Sequence, residues 1–142
     1  MESLNEVINS PDGGHVVHLE FEGEIRFGPV YFSITLDGRS LRPRIFGNSI
    51  LWSPDSRYVA VQEWMTIDYK SGPKTKLVVI DVIRGSEADI VLVDGGFVEA
   101  TSIASGIVMS KGTYLGTGQE LRFRHELPDA GDWRTVHSRS SE

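Results

Sequence analysis

Hydrophobic positions along this chain fall in short runs with a period of two, separated by glycine, proline, asparagine and aspartate. Such runs predict β-strands joined by tight turns. His15 to Phe21 is followed by Gly23, and Val30 to Leu36 by Asp37-Gly38. Asp-Gly between two extended runs predicts a hairpin, because both turn positions favour positive φ. Leu41 to Phe46 is expected as the returning strand. Pro43 removes a ladder donor from it and places it at an edge. Gly47-Asn48 reads as a further turn, and Ile50 to Trp52 leads into another at Ser53-Pro54-Asp55-Ser56. The first nine residues leave a turn of helix and an extended arm equally open.

Tyr58 to Trp64 alternates, with Val59 and Val61 on one face and Tyr58, Ala60 and Trp64 on the other. Leu77 to Ile80, continued after Asp81 by Val82 and Ile83, is β-branched and nearly unbroken, the profile of a central strand covered on both faces. Ile90 to Val93 ends at Asp94-Gly95-Gly96. Phe97 to Met109 reads as two strands broken near Ser105-Gly106, with a helix over Glu99 to Ala104 as the alternative. Thr113 to Leu115 and Glu120 to Leu127 complete the series. No segment keeps a 3.6-residue period beyond two turns. The predicted class is all-β with at most one minor helix, as a single domain over residues 1–128. Residues 129–142 read as a polar C-terminal tail, and His137 to Glu142, with no apolar anchor, is expected to fray.

An internal repeat is the most specific signal. Ser10-Pro11-Asp12-Gly13-Gly14-His15-Val16-Val17-His18-Leu19-Glu20-Phe21 aligns with Ser53-Pro54-Asp55-Ser56-Arg57-Tyr58-Val59-Ala60-Val61-Gln62-Glu63-Trp64, so blade-like units start near 10 and 53. Ser, Pro, Asp, Val and Glu recur at matching positions, and Phe21 answers Trp64. Trp52 to Ala60 resembles the W-S-P-D-G run of WD40-like and TolB-type β-propeller blades. Leu77 to Gly85 resembles the strand and turn that follow it there. The resemblance covers residues 10–93, about two blades; it implies four-stranded antiparallel units and no particular function. No third Ser-Pro-Asp turn appears near position 96, and the chain is too short for a closed ring of blades. The architecture expected is therefore an open propeller-like stack of antiparallel sheets, a β-sandwich, or a ring that closes only as a homo-oligomer.

Hydrophobic residues make up 39% and charged residues 24%, a globular balance that excludes disorder of the whole chain. The absence of cysteine excludes disulfides, thiolate metal sites and a cysteine nucleophile, and agrees with a reducing compartment. Met1-Glu2-Ser3-Leu4-Asn5 shows no signal-peptide pattern, and no apolar run approaches a membrane span, so a cytoplasmic protein with no membrane contact is expected. A net charge of −6 disfavours nucleic acid. The local cations, Arg39, Arg42, Arg44, Arg122 and Arg124, are read as solvated side chains.

Candidate chemistry is sparse. His15 and His18 lie three apart on a strand, hence on opposite faces, which does not make a metal site. Gly112, Gly116 and Gly118 lack dinucleotide-loop spacing, no Gly-x-Ser-x-Gly elbow appears, and no catalytic residue, cofactor or metal is predicted. Glu20, Glu22 and Glu24 alternate along one strand. They read either as a solvated face that discourages edge pairing or as a surface for a basic partner. Trp133, in a polar neighbourhood, reads as an anchor for the C-terminal segment or as an exposed hot spot. The function expected is a non-enzymatic protein-interaction domain, in a specific form a small inhibitor or immunity-type protein that blocks a basic toxin or enzyme. The alternatives are a small-molecule or carbohydrate binder or hydrolase with a cleft at the blade ends, and a protomer of a homo-oligomeric propeller.

Overall fold

Turn chemistry sets the register of the strands. The computed structural model describes residues 4–25, 28–68, 70 and 72–137. Asp37 and Gly38 both have positive φ (48° and 82°), as do Ser105 and Gly106 (53° and 76°). Each pair closes a two-residue hairpin whose twist matches its strands. The first joins β3 (Val30–Leu36) to the short β4 (Arg39–Ser40), and the second joins β9 (Gly96–Ala104) to β10 (Ile107–Tyr114). The other strands are β1 (Glu6–Asn9), β2 (Val16–Glu24), β5 (Ile45–Trp52), β6 (Tyr58–Trp64), β7 (Lys74–Asp81), β8 (Ser86–Asp94), β11 (Glu120–Glu126) and β12 (Arg134–Thr135), and a 3-10 turn lies at Ala130–Asp132. The protein is all-β and antiparallel, and its sheets do not close into a barrel.

The larger sheet runs β1-β2-β3-β5-β6-β7-β8-β12, with β4 attached to β3, and the smaller runs β11-β10-β9. Only one position, Phe32 opposite Phe46, joins β3 to β5. The larger sheet folds over at that joint. In a flat sheet β1 and β5 would lie three strand spacings apart, about 14 Å. Instead the Trp52 indole donates to the Ile8 carbonyl at 3.4 Å, the His15 and Trp52 rings stack at 6.2 Å, and the Asp12 amide donates to the Ser56 hydroxyl at 2.9 Å. Three layers result: β1–β4, then β5–β8 with β12, then β9–β11.

Side-chain alternation in β6 and β7 fills both interlayer spaces. Val59, Val61, Val78 and Ile80 join Val17, Leu19, Phe32, Ile34, Leu41 and Phe46 between the first and central layers. Ala60, Leu77 and Val79 join Val93, Val98, Ile103 and Val108 between the central and third layers. β7 is thus covered on both faces, as its continuous apolar run predicts. Each such side chain stabilises by about 1.5–3 kcal/mol when fully buried.

Two local expectations about strand bounds and turns are corrected. Leu41 to Phe46 is not one returning strand: the chain returns for only two residues as β4, bends over Leu41 to Arg44, and Ile45 and Phe46 open β5. Leu41 is fully buried against the core there, and the proline at 43 has no amide to offer a ladder. Gly47-Asn48 is not a turn but an irregularity inside β5, where the register to β6 shifts between Phe46 and Ile50. Gly47 is pressed against the Gln62 and Trp64 side chains, so no Cβ fits. Glu99 to Ala104 is strand, because it alternates against the central layer, and residues 6–9 form β1. Beyond Pro128 the chain returns to the domain, where β12 pairs with β8 and Val136 enters the first core. Of the predicted fraying end, only His137 falls within the described residues.

Candidate functional site

β2 carries the predicted acidic residues. Glu20 lies opposite Ser33 of β3, and a register shift between Phe21 and Gly23 places Glu22 at a bulge. Glu20 and Glu22 meet one cation, whereas the bulge shifts the parity of the strand and puts Glu24, opposite Val30, on the other side. Arg42, in the bend before β5, donates to Glu22 at 2.6 and 2.9 Å and to Glu20 at 3.2 Å. The Ser33 hydroxyl and then the Arg42 guanidinium hold the Glu22 carboxyl below its usual range. Glu24 is exposed, and no hydrogen bond or ion pair reaches it among the described residues. The strand therefore carries three carboxylates against one guanidinium, two of them fixed in place. Such a surface can attract and orient cationic groups.

Trp133 is half-buried. Its indole donates to the Pro128 carbonyl at 2.9 Å, and its ring lies 6.1 Å from that of Tyr58. The Arg57 guanidinium stands 5.1 Å from the Tyr58 ring centroid and pairs with Asp81 at 3.0 Å. Two small cavities flank Tyr58 at this end of the stack. One, of about 310 Å³, is lined by Ser53, Pro54, Asp55 and the Ile103–Gly106 tip. The other, of about 210 Å³, is lined by Arg57, Asp81, Arg84, Leu127, Pro128 and Trp133. Both sit at or below the lower bound for small-molecule sites.

A buried ionic cluster lies between the first and central layers, and the sequence reading missed it. Arg44 is 3% exposed and Glu87 is fully buried. The Arg44 guanidinium donates to Glu63 at 2.8 and 3.1 Å, to Glu87 at 2.7 and 2.8 Å, and to the His137 carbonyl at 2.8 Å. Arg134 bridges Glu87 and Asp89, both at 2.8 Å, and Lys76 reaches Asp89 at 3.3 Å. Burial works against the Arg44 charge, but the hydrogen bonds and charges of Glu63 and Glu87 outweigh it and raise its pKa. Glu63 carries the signal that could have revealed this. It shares the parity of Val59 and Val61, so it must point inward, and an inward carboxylate needs a cation.

The other first-segment arginines are also engaged internally: Arg39 donates to the Val136 carbonyl, and Arg42 holds the β2 glutamates. His15 bonds Asp37 through Nδ1 at 2.7 Å, while His18 is exposed on the opposite face. Among the described residues no helix is long and apolar enough to cross a membrane. No protein-family model matches the chain, and neither a curated protein nor a solved structure does.

Proposed function

We propose that the chain is a non-catalytic protein-interaction domain that binds a basic partner protein, in the manner of a small cytoplasmic inhibitor or immunity-type protein. The carrying observation is the β2 face. Glu20 and Glu22 are held by a single arginine on a rigid sheet, Glu24 is exposed further along the same strand, and the whole molecule is acidic. Fixed carboxylates in excess over their local cation steer a basic partner and set its orientation, more than they add raw affinity. Trp133 supports the domain from within, since its indole proton and one ring face are used by Pro128 and Tyr58.

The cleft reading draws on the cavities beside Tyr58. Arg57 and Trp133 already bracket that ring, which leaves it a poor platform for stacking a sugar or a planar ligand. The partner is to be captured with the tagged protein from its native host and identified by mass spectrometry. With the purified partner, Glu20→Gln, Glu22→Gln and Glu24→Gln combined should weaken binding at least about tenfold at low salt, and less at high salt. Unchanged affinity and an unchanged salt slope would remove the β2 face from the mechanism.

A further inference from the structure

We propose that the cavity between the β7–β8 turn and the segment from Leu127 to Trp133 is an oxyanion site that holds one phosphoryl group. Its volume is about 210 Å³. At about 30 Å³ per water, that is room for one tetrahedral oxyanion with a few waters, and too little for a nucleoside. Phosphate itself fits, as does the head of a phosphomonoester whose remaining part stays in solvent.

Arg57 is the centre of the site, and its guanidinium is fixed on two sides. Nε and Nη2 donate to Asp81 at 3.2 and 3.0 Å, and the group stands 5.1 Å from the Tyr58 ring centroid. Nη1 makes no hydrogen bond among the described residues, so the second edge of the fork stays open, on a side chain 37% exposed. Such an edge meets two oxygens of a phosphoryl group at once. The carboxylate in the cavity does not compete for the remaining donors. Asp81 is buried and accepts two bonds from Arg57 and one each from the Ile83 and Arg84 amides, both at 3.1 Å. Four bonds fill the capacity of a carboxylate.

Arg84 lines the same cavity, with its amide pinned by Asp81 and with no carboxylate on its side chain among the described residues. Ser86 lines it too, and among those residues its hydroxyl makes no hydrogen bond. Two guanidiniums against one carboxylate leave the cavity one net positive charge, on a molecule whose net charge is −6. Asp129 and Asp132, in the segment of the far wall, are exposed and do not line it. The walls at Tyr58, Leu127, Pro128 and Trp133 are largely apolar, which strengthens the charged hydrogen bonds made inside. Arg57, Arg84 and Ser86 make three donor groups for the three terminal oxygens of a phosphoryl group, where a carboxylate offers two.

Amide and arginine NMR of the isotope-labelled full chain, titrated with inorganic phosphate at constant ionic strength, tests the proposal. Saturable shifts should be confined to the Ile83, Arg84 and Ser86 amides and the Arg57 Nε–H. Acetate should bind at least about fivefold more weakly, and Arg84→Gln should weaken phosphate by at least about fivefold, each through a lost charge-assisted contact. Arg57→Lys keeps a cation beside Asp81 but removes the open fork, so it should weaken phosphate as much. A spectrum unchanged beyond the cavity shows that each variant keeps the fold. Blocked O-phosphoserine separates the two sources of the group. Tighter binding than phosphate points to a phosphorylated side chain of another protein and weaker binding to free phosphate, and either order supports the site. Shifts that never saturate, that appear equally at Arg39 and Arg124, or that survive both substitutions overturn the proposal. So does acetate that binds as well as phosphate.

Discussion

Arg44 carries more local structure than any other single side chain. Its guanidinium makes five hydrogen bonds, to two carboxylates and one carbonyl, and so ties the bend before β5 to β6, β8 and the C-terminal segment. A buried ion pair is weak evidence for stability in itself, because removing two charges from water costs several kcal/mol per ion. Breaking one is different, since the surviving carboxylate is left buried. Arg44→Met should therefore lower unfolding stability by about 3–5 kcal/mol in urea melts. A loss under about 1 kcal/mol would mean that water reaches Glu87 and that the cluster is not dry. Strand parity made the inward apolar residues of β6 legible in advance, and Glu63 obeys the same parity. Arg44 was not legible. Its inward turn depends on the bend at Leu41 to Pro43, and an arginine beside two others in an acidic chain reads as solvated.

At the scale of elements, the repeated turn is the part of the chain most fully encoded in local sequence. The Ser10 hydroxyl donates to Asp12 at 2.7 Å and accepts from the His15 amide at 3.0 Å. The Ser53 hydroxyl donates to Asp55 at 2.6 Å and accepts from the Tyr58 amide at 3.0 Å. The same bonds thus form twice from the same Ser-Pro-Asp letters. The two turns also touch, through the Asp12 amide and the Ser56 hydroxyl. The hydrogen bond from Ser53, with the Arg57 amide, holds the Asp55 carboxyl below its usual range. Its contribution is accordingly present above the ordinary aspartate pKa and is lost as the pH falls through the folded value. Ser53→Ala should cost about 1–2 kcal/mol at neutral pH, because Ser53 is buried and both bonds go. The penalty should shrink in acid, which urea midpoints at neutral and acid pH would resolve. A penalty that is the same at both pH values would place the whole effect in the Tyr58 amide bond. What local letters did not convey was the union of the two repeats into one folded sheet, since a single paired position at Phe32 and Phe46 joins them.

On the scale of the whole molecule, a central layer with two apolar faces needs two covers, and the chain supplies them as β1–β4 and β9–β11. The C-terminal segment then closes the seam between the first and central layers. Val136 is 3% exposed in the first core, its amide bonds the Gly85 carbonyl, and Arg134 and the His137 carbonyl complete the Arg44 and Glu87 cluster. Composition alone made this segment look like a loose tail, because a single valine among polar residues carries no periodicity. Its anchoring depends on partners about 50 and 90 residues away, at Glu87 and Arg44. Ending the chain at Pro128 removes the apolar contribution of Val136, worth about 1.5–3 kcal/mol, and leaves Glu87 short of a cation. The loss should come to about 5 kcal/mol, which in a chain of this length lowers Tm by roughly 10–20 °C. A solvated tail would leave Tm where it was, so a thermal melt of the shortened chain decides between the two pictures. If the melt is unchanged, the Arg44 cluster must be satisfied by water once the segment is gone, and the first and central layers are held together by their apolar contact alone.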